Sequence, residues 1–216
     1  MIDKIKEKVI STFITEPEDA IDEKNIMVID PSVLSSPQEP DLRIIGLFTD
    51  VVEEKVAELV QAILYLSELD KLEQDESKKK PIEFYISTLG GSADDMFALY
   101  DIMRVVKNTT EIHTIGVGKV MSAGVLLLAA GTKGKRQIGK NCRVMIHSVI
   151  AGSHGTLPNL ANEMEAIQQL QEDYISALVD ETKMTKEEIK NMLERKVNVY
   201  LSAEEAVKLG IADIII

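Results

Sequence analysis

The chain has 216 residues, room for one generous domain or a domain with an appendage, and with 45% apolar residues it can build a continuous core. Trp is absent and aromatics are only 4%, so that core rests on Leu, Ile, Val, Ala and Met. A net charge of −12 opposes both a phosphate backbone and an anionic lipid surface, which argues against nucleic-acid and membrane partners.

Residues 1–41 read as an N-terminal arm and irregular connection. The opening stretch, MIDKIKEKVISTFITEPEDAIDEK, is too charged for a signal peptide, and residues 4–12 have the pattern of a short helix. PSVLSSPQEP (31–40) carries three of the six prolines, a density that breaks regular structure. No run approaches the ~20 apolar residues a membrane span needs.

From Leu42 a repeating pattern begins. RIIGLF (43–48) has strand length. Residues 51–66 then place Val52, Val56, Leu59, Val60, Ile63, Leu64 and Leu66 at helical spacing. SELDKLEQDESKKKP (67–81) reads as an exposed loop with room for one more helical turn. IEFYIS (82–87) is a strand, followed by the turn Gly90-Gly91 and a helix over 93–107. Residues 112–117 form the next strand, followed by a turn and a helix over 122–130. Strands alternating with helices at this pitch predict parallel strands joined by crossover helices.

Two short strands are predicted over 135–138 and 143–146, and the longest helix over 157–180. That helix carries Leu160, Met164, Ile167, Leu170, Tyr174, Ile175, Leu178 and Val179, a stripe that widens toward its end, as with partners on more than one side. Thr185 with Glu188, and Ser202 with Glu205, spell two capping boxes. Residues 212–216 close the chain as an apolar strand. Cys142 is the only cysteine, so neither an internal disulfide nor a cysteine-based metal cluster can form, which favours a cytoplasmic or equivalent reducing compartment.

Three places could carry chemistry. Ser122 stands between a strand and an apolar helix, where unpaired backbone N–H groups can hold developing negative charge. Read alone, it is better explained as an ordinary N-cap serine. The turn Leu89-Gly90-Gly91-Ser92 ends the preceding strand, and parallel strands present such ends together. A serine nucleophile needs a base. His147 ends an apolar strand and is the best placed of three histidines; His113 lies mid-strand and His154 in a glycine-flanked loop. Asp94 and Asp95 point to different sides of a helix and make poor joint ligands. With no phosphate loop, dinucleotide fingerprint or zinc spacing, no cofactor and no metal is expected.

In order and spacing, the stretches FYISTLGGSADDMFALYDIM, GVGKVMSAGVLLLAAGTKGKR, NCRVMIHSVIAGSHG and YLSAEEAVKLGIAD resemble the ClpP family, the proteolytic subunits of the Clp protease. The resemblance runs from about Leu42 to the C-terminus. It implies an α/β fold of the ClpP/crotonase type, with repeated strand-strand-helix units and a projecting handle helix. Residues 42–216 then form a peptidase domain whose handle region is about 151–180. It further implies a serine endopeptidase with Ser122 as nucleophile, His147 as base, and the Gly91 and Ala123 N–H groups as oxyanion donors. The assembly it implies is a homo-oligomer of two stacked seven-membered rings around a chamber, fed with unfolded polypeptide by an ATP-driven Clp-type unfoldase.

Four departures stand out against the family pattern. Asn198 occupies the position of the triad aspartate, which predicts slow turnover. Leu89 replaces a proline before the glycine pair. Glu83 replaces an aromatic of the docking pocket, although Tyr85 is kept. The N-terminal segment and the 67–81 loop are longer and more charged than usual. Asn198 also leaves open a catalytically weak or inactive structural subunit. A crotonase-type acyl-CoA enzyme shares the fold but explains neither the Ser–His spacing nor the handle.

Overall fold

The computed structural model describes residues 42–194 and 198–216. The predicted N-terminal arm, 1–41, lies outside the described residues. The first unit of the described chain is β1 (Ile44–Leu47), α1 (Glu53–Leu72), β2 (Ile82–Thr88), α2 (Ala93–Val106) and β3 (Ile112–Met121). The three strands pair in parallel, so each helix is a crossover, as the alternating pattern predicts.

α1 runs further than expected. It takes in residues 67–72, assigned above to an exposed loop, and a 3-10 turn follows at Glu76–Lys78. The reason is Asp70, which is buried against the ion-paired Arg43 at 2.7 Å and accepts a hydrogen bond from Thr110 Oγ1 at 2.7 Å. A charged stretch thus stays helical because one of its carboxylates has partners on two other segments. Ser67, also buried, meets the Thr109 hydroxyl at 3.2 Å.

β3 is the spine of the sheet. Its first half pairs with β4 (Gln137–Ile138), which pairs with β7 (Ile214–Ile215). Its second half pairs with β5 (Arg143–Ile146), which pairs antiparallel with β6 (Val199–Leu201). Between the halves the register with β2 shifts: Ile86 is opposite Gly116, but Thr88 is opposite Val120. Gly118, at φ 67°, absorbs the extra residues, as a glycine does in a bulge. The strand therefore continues past the predicted end at Val117 and delivers Met121 directly before Ser122.

α3 (Ala123–Ala129) is buried on every side, which suits the sequence AGVLLLA, apolar all round. Leu126, Leu127 and Leu128 are fully buried. Each contributes about 2 kcal/mol from burial. α4 (Leu157–Glu181) packs on this core through Tyr174, Ile175, Ala177 and Leu178. Its other end projects: from 157 to 166 only Leu160 is shielded. α5 (Lys186–Leu193) and α6 (Ala203–Lys208) each begin with the capping box read from the sequence. No helix among the described residues is long and apolar enough to cross a membrane.

Candidate active site

The C-terminal ends of β2, β3 and β5 open onto one cleft of about 480 Å³. Leu89, Gly91 and Ser92 line it from the turn after β2, Ser122 and Ala123 from the turn after β3, and His147 and Ser148 from the end of β5. Ile167, Leu170 and Tyr174 of α4 close the remaining side. The structure thus brings Gly91, Ser122, Ala123 and His147, four of the five predicted site residues, to one space.

Ser122 is not an ordinary N-cap. Its side chain makes no capping bond, and its backbone sits at φ 54°, ψ −122°. No other non-glycine residue among those described has positive φ. Such a conformation costs of order 1–3 kcal/mol and persists only where neighbours impose it. Here the Ser122 N–H donates to the Met145 carbonyl at 2.8 Å, and its carbonyl accepts from the Val125 N–H at 2.9 Å. The Tyr174 hydroxyl donates to the same carbonyl at 3.2 Å.

The glycine turn makes room for this serine. A Cβ on Gly90 would lie 2.5 Å from the Ser122 Cβ, and a Cβ on Gly91 would lie 2.2 Å from the Val51 carbonyl oxygen. Gly91 is held in a parallel bridge with Val51, through Val51 N–H to Gly90 O at 2.7 Å and Ser92 N–H to Val51 O at 2.9 Å. That pattern uses the groups on either side of Gly91 and leaves its own N–H turned from Val51. Ala123, the first residue of α3, has an N–H with no intrahelical acceptor. Two donors with no backbone acceptor among the described residues therefore border the cleft beside one hydroxyl, an arrangement suited to holding an oxyanion.

His147 is half-buried, and its Nδ1 lies against the Ser148 carbonyl oxygen. A carbonyl only accepts, so in neutral His147 Nδ1 carries the hydrogen and Nε2 keeps the free lone pair. Ser122 Oγ has no hydrogen-bond partner among the described residues; bonds of this kind often tighten only with substrate in place. The other histidines stand apart: His113 pairs with Glu111 at 2.8 Å and His154 is exposed.

Asn198, the fifth predicted residue, is exposed and makes no hydrogen bond to His147 among the described residues. The β5–β6 ladder nevertheless runs Val144 to Leu201, Met145 to Tyr200 and Ile146 to Val199. One more step in that register sets position 147 opposite position 198. Two contacts were not legible in the sequence. The Ser148 carbonyl comes from a residue with no pattern of its own, and Tyr174 reads in the α4 stripe as packing alone.

A family model described as Clp protease matches residues 20–216. The chain belongs to the Clp protease family. The match begins at residue 20, upstream of Leu42, and so takes in part of residues 1–41. The ATP-dependent Clp protease proteolytic subunit 1 of Prochlorococcus marinus subsp. pastoris is 34% identical over 174 residues, covering 81% of this chain and 83% of that one. Subunit 1 of Prochlorococcus marinus strain MIT 9312 is 35% identical over 174 residues, covering 81% and 84%. The ATP-dependent Clp protease proteolytic subunit of Deinococcus radiodurans is 35% identical over 165 residues, covering 76% of each. As a Clp protease family member the chain is a serine-type peptidase with the mixed α/β ClpP-like fold. The crotonase-type acyl-CoA alternative gains nothing from these relatives.

Proposed function

We propose that this Clp-type subunit cleaves unfolded polypeptide by acyl transfer at Ser122. His147 Nε2 takes the Ser122 proton as Oγ attacks the scissile carbonyl. The Gly91 and Ala123 N–H groups receive the resulting oxyanion. His147 then passes the proton to the leaving amine, and an acyl-Ser122 ester remains. Water attacks that ester, His147 again accepts and returns the proton, and the carboxylic acid product leaves with Ser122 restored. The observation that carries this reading is the positive-φ Ser122 in one cleft with Gly91, Ala123 and a histidine whose Nε2 has no hydrogen-bond partner among the described residues.

The remaining family features extend the same proposal. Residues 42–216 act as the peptidase domain, with residues 1–41 as an arm. The exposed stretch of α4 serves as the handle between two stacked seven-membered rings, and a Clp-type unfoldase supplies substrate. Glu83, reached by the Tyr85 hydroxyl at 3.4 Å, weakens docking of a partner that presents an apolar side chain there. The working compartment is cytoplasmic or equivalently reducing.

A labelled fluorophosphonate on the assembled protein tests the core of this reading. It should modify Ser122, and Ser122→Ala should lose both labelling and peptide hydrolysis while keeping its fold by circular dichroism. Hydrolysis near the parent rate in Ser122→Ala would remove this serine from the mechanism. An unlabelled, inert parent would make the chain a structural subunit.

A further inference from the structure

We propose that Tyr174, on α4, is a positioning residue that aims one oxyanion donor through the back of the nucleophile's own peptide unit. The inference rests on the reading of Ser122 as nucleophile. The Tyr174 hydroxyl donates to the Ser122 carbonyl at 3.2 Å. That carbonyl and the Ala123 N–H belong to one planar trans peptide and point in opposite directions. Gripping the carbonyl therefore fixes where the Ala123 N–H points.

Fixing is needed here, because Ser122 sits at φ 54°, ψ −122°, a conformation its own chain does not favour. Rotation of this peptide toward a relaxed geometry would swing the Ala123 N–H out of the cleft. Val125 also donates to the carbonyl, but from within α3, so it turns with the helix. Tyr174 is anchored on a different element. The phenol is buried to 6% exposure, and burial raises its pKa above the ordinary value, so it remains a protonated donor. A hydrogen bond accepted at the carbonyl also polarises the peptide and strengthens its N–H as a donor. The ring lines the cleft as well, so the hydroxyl's work must be separated from that of the ring.

Tyr174→Phe makes that separation, since it removes one oxygen and keeps the ring. Oxyanion contacts strengthen in the transition state, so the loss should fall on kcat. In the assembled full-length protein kcat on a short fluorogenic peptide should drop about three- to tenfold, with KM within about twofold of the parent. The rate of fluorophosphonate labelling at Ser122 should fall in parallel. Amide hydrogen exchange over residues 121–126 should quicken, a readout that needs no turnover. Unchanged kcat with unchanged exchange would overturn the proposal. So would a raised KM at constant kcat, which would mean that the hydroxyl touches substrate instead. Failure of the parent to label at Ser122 would remove the nucleophile assignment, and the exchange rates would still decide whether Tyr174 holds this turn.

Discussion

His147 shows how one side chain's neighbours divide the work of orientation and charge. The Ser148 carbonyl already fixes its tautomer. What a carbonyl lacks is a full negative charge to stabilise the imidazolium that the proposed acyl transfer would form at His147. Continuing the β5–β6 register one step past Ile146 and Val199 would set position 198 opposite His147, and the asparagine there is neutral. Asn198→Asp should therefore raise kcat by roughly tenfold, the effect of a carboxylate about 5 Å away in a well-solvated setting. Asn198→Ala should change kcat little, because Ser148 keeps the ring oriented. Steady-state kcat for the three proteins on one peptide checks both statements. Equal rates for parent and Asn198→Asp would show that position 198 does not address the imidazolium. That Ser122 and His147 lie at one end of the sheet was legible in the sequence, because Ser122 opens a helix after one predicted strand and His147 follows another. The left-handed φ at Ser122 was not, since it comes from Gly90, Met145 and Tyr174, which meet it only in space.

Elements are joined by a few buried polar side chains, and Arg136 is the clearest case. Its Nη1 donates to the Ala129 carbonyl at the end of α3 and to the Glu181 carbonyl at the end of α4. Its Nε and Nη2 donate to the Asp213 carboxylate, just before β7, at 2.8 and 2.6 Å. Asp213→Asn would leave a buried guanidinium without its countercharge. We expect a loss of about 2 kcal/mol, a fall of roughly 4–8 °C in the thermal midpoint. The bond to Arg136 holds the Asp213 carboxyl below its ordinary 3.8. A carboxylate with a lowered folded pKa stabilises fully above the unfolded value, and that stability fades as pH falls through the folded one. The parent should thus lose this contribution only below about pH 3.8, and Asp213→Asn should show no such dependence in scans across that range. A midpoint unchanged by Asp213→Asn would mean that Arg136 is held by the two carbonyls alone. These ties also explain which elements could be read in advance. Local patterns sufficed for both capping boxes and for the strand–helix alternation from Ile82 to Ala129. The end of α1 depended on Asp70 meeting Arg43, and the length of β3 on a bulge at Gly118; neither leaves a periodic trace.

For the whole molecule, the open question is what covers α4. Helix α4 is about 37 Å long at 1.5 Å per residue, and its first ten residues leave the body of the subunit. Leu157 and Met164 are 81% and 57% exposed there, with Ile150 at 82% on the preceding loop. The sequence placed Leu160, Met164, Ile167 and Leu170 on one apolar stripe of this helix. Ile167 and Leu170 line the cleft beside Tyr174, so changing them would disturb the site as well as any interface. Leu160 and Met164 lie outside the cleft lining and separate the two effects. If rings stack through this stretch about a two-fold axis, each residue meets the same surface of its partner. Glutamate at both positions would then remove about 2–3 kcal/mol of apolar burial per side chain and set like charges face to face. The repeat of that contact around a ring multiplies the penalty. Leu160→Glu combined with Met164→Glu should halve the mass of the assembly in solution, as read by native mass spectrometry or light scattering. The thermal midpoint of the subunit's own fold should hardly move, because neither side chain belongs to its core. An assembly of unchanged mass would assign ring contact to another surface and leave the exposed end of α4 for a different partner.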